Sequence, residues 1–247
     1  MEIKRYGAKE FLAAGKLCIR ENEIHIWCIC WPEMTDFWVN HEYILSGQES
    51  EQVGRFRFSE DRMRYIAGKV VVRLLLKRYL DVETIDFSVS ERGKPYHKKI
   101  AGKQTVDFNI SHSGDYVVCS VSDREIGIDI EKRAKARMEV AGRFFHEEEM
   151  AILKTLEGDK QDQLFFNYWS VKESFLKYIG TGLTRPLNSF VVRFAGENIS
   201  LYEGVNKLPL RVNACPIDSG YACYVCGEYN DLPHLREITF EEIARMG

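Results

Sequence analysis

Two apolar periods, one of two residues and one of about three and a half, alternate along this chain, and their order predicts its elements. Ile24, Ile26, Cys28 and Cys30 share one face of a strand that Pro32 ends. Residues 33–58 are mixed. A short helix through 34–45 is expected, with Phe56 and Phe58 as apolar anchors. Ser59 reads as a helix cap followed by two acids, and Met63, Ile66, Ala67, Val70, Val71 and Leu74 continue at helical spacing to about Leu80. Gly68 inside that helix costs about 1 kcal/mol relative to Ala, so it marks a close contact or is simply tolerated. Strands over 85–90, 106–110 and 116–121 follow, separated by a Gly-Pro turn over 91–95, a lysine-rich loop over 98–104 and a turn over 111–115. The scheme then repeats. A strand over 126–131 precedes a basic run, a helix over 144–156, a break at 158–161 and a helix over 164–179 that Gly180 ends. A loop over 180–186, strands over 189–194, 199–201, 208–212 and 221–226, and a short tail complete the chain. The run Ser113-Gly-Asp-Tyr-Val-Val-Cys-Ser-Val is echoed by Ser219-Gly-Tyr-Ala-Cys-Tyr-Val, which suggests two similar α+β halves meeting near residue 123.

Gly127-Ile128-Asp129-Ile130-Glu131 alternates strictly. Ile126, Ile128 and Ile130 belong to a core, while Asp129 and Glu131 share the other face, about 7 Å apart along the strand. Gly127, on the acidic face, leaves room for something to approach the backbone. Adjacent carboxylates repel one another, a cation between them removes that cost, and oxygen-only ligands suit a hard ion such as Mg2+. Taken alone, these five residues are accounted for more simply as the solvent face of a strand.

On the helix over 164–179, Trp169, Glu173 and Lys177 line up at i, i+4 and i+8 with Lys172 on their shoulder. A surface salt bridge worth a few tenths of a kcal/mol is the plain account. A tryptophan on the polar stripe needs cover and argues for more. Phe108-Asn-Ile-Ser111-His112-Ser113-Gly114 places hydroxyls, a His and a Gly at a strand end, which suits phosphate oxygens and suits a capped hairpin turn equally. Gly93-Lys94-Pro95 presents a lysine on a rigid turn, an ordinary surface feature by itself.

Composition narrows the field. With 247 residues, 45% of them hydrophobic, the chain builds one large domain or two small ones. A net charge of −3 excludes a global basic field, so nucleic acid is not the expected partner. The seven cysteines include the CxxC pair Cys223 and Cys226. In a strand these point to opposite faces, so buried core thiols rather than a zinc site are expected for all seven. Residues 1–15 lack the apolar segment of a secretory signal, and no apolar run is long enough to span a bilayer. The expectation is a cytoplasmic protein with reduced thiols and no membrane.

Four motifs in order, Gly93-Lys94-Pro95, Phe108-Asn-Ile-Ser-His-Ser, Gly127-Ile-Asp-Ile-Glu-Lys132 and Trp169-Ser-Val-Lys-Glu-Ser-Phe-Leu-Lys177, strongly resemble those of the 4′-phosphopantetheinyl transferases. The likeness is greatest to the surfactin-synthetase-activating type and runs from about Arg55 to the last strands. It implies an α+β fold of two similar halves related by pseudo-twofold symmetry, in a monomer with the active site in the cleft between them. Residues 1–122 would bind coenzyme A, and residues 123–247 would carry the magnesium site and the carrier-docking surface. The implied reaction moves phosphopantetheine from coenzyme A to a serine of an acyl or peptidyl carrier domain and releases adenosine 3′,5′-bisphosphate. Asp129, Glu131 and Glu173 inherit Mg2+, and Lys177 inherits the diphosphate. Lys94, Pro95, Ser111 and His112 inherit coenzyme A, and Glu149 an acidic position facing the same site. Glu173 is the candidate general base. Relatives of this type place lysines ahead of the first long helix to contact the 3′-phosphate. Glu49 and Gln52 stand there in this chain, so Arg55, Arg57 or Arg64 must substitute or 3′-phosphate recognition is weaker. Carrier domains are acidic, which makes the basic run Lys132 to Arg143 and the loop from Gly180 onward candidate docking surfaces. A non-catalytic coenzyme A or carrier-binding module is the alternative. The acid trio with Lys177 argues against that module, and the lack of a P-loop signature argues against a triphosphate-dependent phosphotransferase.

Overall fold

The computed structural model describes residues 4–7, 17–229 and 233–237, so most of the stretch 1–15 lies outside the described residues. The strands are β1 Lys4–Gly7, β2 Ile24–Cys30, β3 Phe87–Val89, β4 Pro95–His97, β5 Asp107–Ser113, β6 Tyr116–Ser122, β7 Ile126–Lys132, β8 Val191–Ala195, β9 Asn198–Glu203, β10 Asn206–Lys207, β11 Arg211–Ala214, β12 Tyr221–Gly227 and β13 His234–Glu237. The α-helices are α1 Thr35–Asn40, α2 Gly47–Val53, α3 Ser59–Leu80, α4 Met138–Phe144, α5 Glu147–Leu153 and α6 Gly158–Ile179. None of the described helices is long and apolar enough to cross a membrane.

One sheet has the order β1-β13-β2-β6-β5 and a second has the order β11-β12-β7. Within them, β2-β6-β5 and β7-β12-β11 follow one plan: the first strand of each half pairs with the last, which pairs with the middle one. Each half also carries one 22-residue helix, α3 or α6. The fold is therefore α+β with two similar halves. Helix α3 buries Ile66, Val70, Val71 and Leu74 with Trp27, Phe108, Val117 and Cys119 of the first sheet. Helix α6 buries Tyr168, Val171 and Phe175 with Ala222, Tyr224 and Cys226 of the second. The remaining sheet faces meet each other, Ile24, Ile26 and Val118 packing with Ile126, Ile128, Ile130 and Val225. Four layers result: helix, sheet, sheet, helix. Each buried isoleucine in the middle contributes roughly 1.5–3 kcal/mol.

The edges of the two sheets meet at β5 and β7. Here side chains replace a backbone ladder. The β7 amides of Ile126, Ile128, Ile130 and Lys132 donate in turn to Asp107 Oδ2 (3.0 Å), Asn109 Oδ1 (3.1 Å), Ser111 Oγ (3.3 Å) and Ser113 Oγ (3.0 Å). The period-two alternation of β5 sends Asp107, Asn109, Ser111 and Ser113 to this seam, while Phe108 turns into the α3 core.

Several elements differ from their sequence reading. The helix expected over 34–45 resolves into α1 flanked by 3-10 turns. Helix α2, not anticipated, is closed by a capping box between Ser46 and Glu49. Phe58 rather than Ser59 occupies the cap of α3, and it is 61% exposed rather than an anchor. Strand β5 runs through Ser113, so the turn shrinks to Gly114-Asp115, with Gly114 at φ +54°. Residues 138–153 form two helices, α4 and α5, broken at Phe145-His146, and Gly158 opens α6 instead of breaking it. Strand β11 replaces the one expected over 208–212. The tail supplies β13, which lies between β1 and β2, so a single cut between 122 and 123 does not partition the sheets. Five cysteines are buried, but Cys18 is exposed and Cys30 only partly covered.

Ile110 closes over Gly68, where a Cβ would sit 3.0 Å from its terminal carbon, so that glycine marks close packing. Gly127 is tighter still. The backbone of α6 at Ser174 and Tyr178 lies against it and leaves no space for a Cβ. The room it provides is thus filled by a helix and not by a ligand. Gly127→Ala is expected to lower stability by about 3 kcal/mol, because backbone on both sides must move. Urea unfolding followed by circular dichroism measures this.

Candidate active site

Strand β7 and helix α6 face each other at the acidic residues. Asp129 is buried, and Glu131 sits half-buried at the end of the same strand face. Ser170 Oγ of α6 donates to the Asp129 carbonyl (3.0 Å), which fixes the helix along the strand. One turn on, Glu173 lies near both acids, and two turns on Lys177 Nζ pairs with Asp129 Oδ1 at 2.7 Å and donates to Ser111 Oγ at 2.8 Å. Ser111 and Ser113 also donate to Asp129 Oδ1 and Glu131 Oε2, each at 3.0 Å. The cover that Trp169 requires comes from Phe144, Phe145 and Phe165 packed around its indole.

Three carboxylates thus share one lysine, and the acidities of Glu173 and Glu131 show the deficit. Burial, then the charge of Asp129, pushes Glu173 up to about 7, and Lys177 only partly offsets this. Glu131 is raised by burial and by Asp129, with hydrogen bonds from Ser113 and Trp169 opposing. Asp129 Oδ2 is buried with no hydrogen-bond partner. An orphaned carboxylate oxygen beside two acids that resist ionising fits a hard divalent cation. Among the described residues no three-ligand cage is already closed.

Around this centre lie other residues singled out from the sequence. Lys94 Nζ turns inward to Asp107 Oδ2 (3.5 Å) and the Ile126 carbonyl (3.4 Å). Lys94, Pro95, Asn109, Ile110 and Lys177 line a cleft of about 200 Å3. A second cleft of about 570 Å3 shares Arg92, Lys94 and Gly180 with it. His112 lies exposed at the rim, and partial desolvation with the nearby charges of Lys177 and Arg64 lowers its pKa. Arg64 reaches the same turn, donating to the Gly114 carbonyl (2.9 Å) and pairing with Asp61.

Two residues fall elsewhere. Glu149 does not face the acids. It closes the capping box of α5 through the His146 amide (2.9 Å), accepts from the Val192 amide (2.7 Å) and pairs with Lys172 Nζ (2.8 Å). Lys172 is fully buried and donates to the Leu187 and Phe190 carbonyls, so it belongs to the second core and not to the polar stripe. The reason is angular. One residue along a helix is a rotation of about 100°, which carries Lys172 away from Glu173.

Comparison with known proteins agrees with this arrangement. Residues 125–226 match the model of the 4′-phosphopantetheinyl transferase superfamily, and residues 30–124 match the 4′-phosphopantetheinyl transferase N-terminal model. The chain is 37% identical to 4′-phosphopantetheinyl transferase Sfp of Bacillus subtilis, over 81% of this chain and 89% of that protein. It is 31% identical to the transferase gsp of Aneurinibacillus migulanus, over 77% and 79% of the two chains, and 34% identical to HetI of Nostoc, over 68% and 73%. The chain belongs to the 4′-phosphopantetheinyl transferase superfamily.

In this member of the superfamily, Glu49 is not free to meet a phosphate. It pairs with Arg73 (2.5 Å) and Lys69 (3.3 Å) and closes α2. Arg55 and Arg57 are exposed ahead of α3, and Arg64 is the arginine that reaches the His112 side of the site. Sequence reasoning counted Ser113 among hydroxyls suited to phosphate and did not foresee that it and Asn109 serve the β7 amides. The signal was present in the period of two that aligns them with Ser111.

Two outcomes follow from these charges. Lys172→Met alone leaves Glu149 buried without its ammonium partner and is expected to cost about 3–5 kcal/mol, while the double variant with Glu149→Gln, which removes the stranded charge and keeps an amide oxygen for the Val192 amide, recovers part of that loss; denaturant unfolding of the cycle measures both. Glu173 holds its proton more tightly when folded than the ordinary carboxyl value of 4.5 would give, so in metal-free buffer it subtracts stability as pH rises from there towards 7. Glu173→Gln therefore raises the melting temperature by a few degrees at pH 8 in EDTA, and the gain vanishes near pH 4.

Proposed function

We propose that this protein transfers the 4′-phosphopantetheine group of coenzyme A to a serine hydroxyl of an apo acyl or peptidyl carrier domain. Membership of the superfamily supports the reaction class. The observation that carries the assignment of the site is the meeting of Asp129, Glu131, Glu173 and Lys177 at the seam, with Asp129 Oδ2 unpartnered. Asp129, Glu131 and Glu173 would hold Mg2+, which supplies Lewis acidity and charge neutralisation at a diphosphate.

The residues divide the remaining work. Glu173, beside the reacting centre, takes the proton of the carrier serine. The serine oxygen forms a bond to the phosphorus that bears pantetheine, the bridging P–O bond breaks, and adenosine 3′,5′-bisphosphate leaves. Lys177 offsets the charge that develops on that leaving group. Lys94, Pro95 and Arg64, with His112 at the rim, line the approach and bind coenzyme A. Glu149 serves to hold α5 to α6 and to β8. The exposed side chains of Lys135, Arg137 and Arg143, with Leu183 at 66% exposure in the loop after α6, form a basic and apolar surface for an acidic carrier. Lys132 and Arg133 contribute less, since Asp115 and the Ser219 carbonyl already engage them. One chain supplies both sides of the site, which supports action as a monomer.

Incubation with coenzyme A, Mg2+ and a panel of apo carrier domains is expected to add one phosphopantetheinyl mass to the carrier serine. No mass gain on any carrier overturns the reading. Lys177→Ala is expected to lower kcat on the order of a hundredfold or more, and Asp129→Ala to abolish transfer at every Mg2+ concentration while leaving the fold intact by circular dichroism, with transfer measured by the same mass assay.

A further inference from the structure

We propose that Ser113, with Ser111, is a positioning residue that fixes the acidic pair of β7 through the same hydroxyls that join the two sheets. The inference rests on the magnesium reading of the acid cluster. Hydrogen-bond accounting carries it. A serine hydroxyl has one proton and two lone pairs. At Ser111 the Ile130 amide (3.3 Å) and the Lys177 ammonium (2.8 Å) can only donate, so they take both lone pairs. The proton then goes to Asp129 Oδ1 (3.0 Å). At Ser113 the Lys132 amide donates at 3.0 Å and the proton goes to Glu131 Oε2 at 3.0 Å. The Ser111 proton has no other direction open to it, and the acceptor within reach of the Ser113 proton is Glu131.

Further along the ladder the task is simpler. Asp107 and Asn109 accept from the Ile126 and Ile128 amides, and neither bonds an acid of the cluster. The residue type on β5 changes to serine where the acids begin. Ser111 and Lys177 both hold Asp129 by Oδ1, which leaves Oδ2 as the oxygen without a partner. With its bonding capacity filled, the Ser111 hydroxyl has none left for the coenzyme A contact that the family resemblance assigns to it. Its part is to hold Asp129 and Lys177 in register, as Ser113 holds Glu131.

Ser113 gives the sharper test because it is half-buried at the seam's end, whereas Ser111 is buried within it. Ser113→Ala is expected to weaken Mg2+ binding about tenfold, read from the Mg2+-dependent rise in melting temperature and separately from the Mg2+ titration of transfer, with KM for the carrier unchanged. Ser113→Thr keeps a hydroxyl and restores both readouts. Asn109→Ala removes a ladder bond but no acid contact, so it lowers the melting temperature and leaves Mg2+ affinity at the wild-type value. Equal Mg2+ affinity in the wild type and Ser113→Ala overturns the proposal. So does an equal loss in Asn109→Ala, which makes the ladder a purely structural device. A wild type whose melting temperature does not respond to Mg2+ overturns the magnesium reading itself, a result distinguishable because it needs no variant.

Discussion

The structure depends on how the amides of one edge strand are satisfied. An unpaired backbone N–H buried between two sheets costs about as much as a lost hydrogen bond. At this seam β7 does not pair with β5 backbone to backbone, and the side chains of Asp107, Asn109, Ser111 and Ser113 serve instead. Each contact spans the same 19 residues of sequence separation. The two halves are therefore locked in one register, and a slip would unpair all four amides together. Asp129 and Glu131 inherit their place from that register, as does Lys177 through Ser111.

Two charge systems sit within one helix of each other and have opposite characters. Glu149 is saturated by two amides and one ammonium, and it is deeply buried. That pair is a closed account between α5, α6 and the strand that begins at Val191. The cluster at Asp129 is left open, three acids to one lysine, with an oxygen unmatched. Electrostatic imbalance of this kind is costly in a purely structural pair and useful where a cation and an anionic substrate must enter. Lys172 and Glu173, neighbours in sequence, belong one to each system.

Much of this was legible in the residues. The isoleucines at 126, 128 and 130 named the core face of β7, and the apolar spacing over 59–80 gave α3 almost to its ends. Period and spacing act locally, so they are visible in a single sequence. What they could not give was the identity of a neighbour. Gly127 announced a close approach without saying that α6 makes it. Lys172 looked like a surface lysine because its partners, the Leu187 and Phe190 carbonyls and Glu149, come from other segments. The Ser-His-Ser run looked like a turn because small polar residues favour turns, yet its hydroxyls were needed by an adjacent strand. The acid trio became a site only when α6 was laid on β7.

The placement of β13 bears on how the protein is made. Residues 234–237 lie between β1 and β2, so the first sheet is completed by a strand from far along the chain. On the ribosome, α3 and the β5–β6 hairpin can gather early, since their contacts are close in sequence. The outer edge of β2 must wait until residues 234–237 have emerged. A long-lived open edge on a nascent chain invites chaperones, or a strand from a neighbouring nascent chain, to bind there first. The yield of folded protein then depends on how well that edge is shielded until β13 arrives.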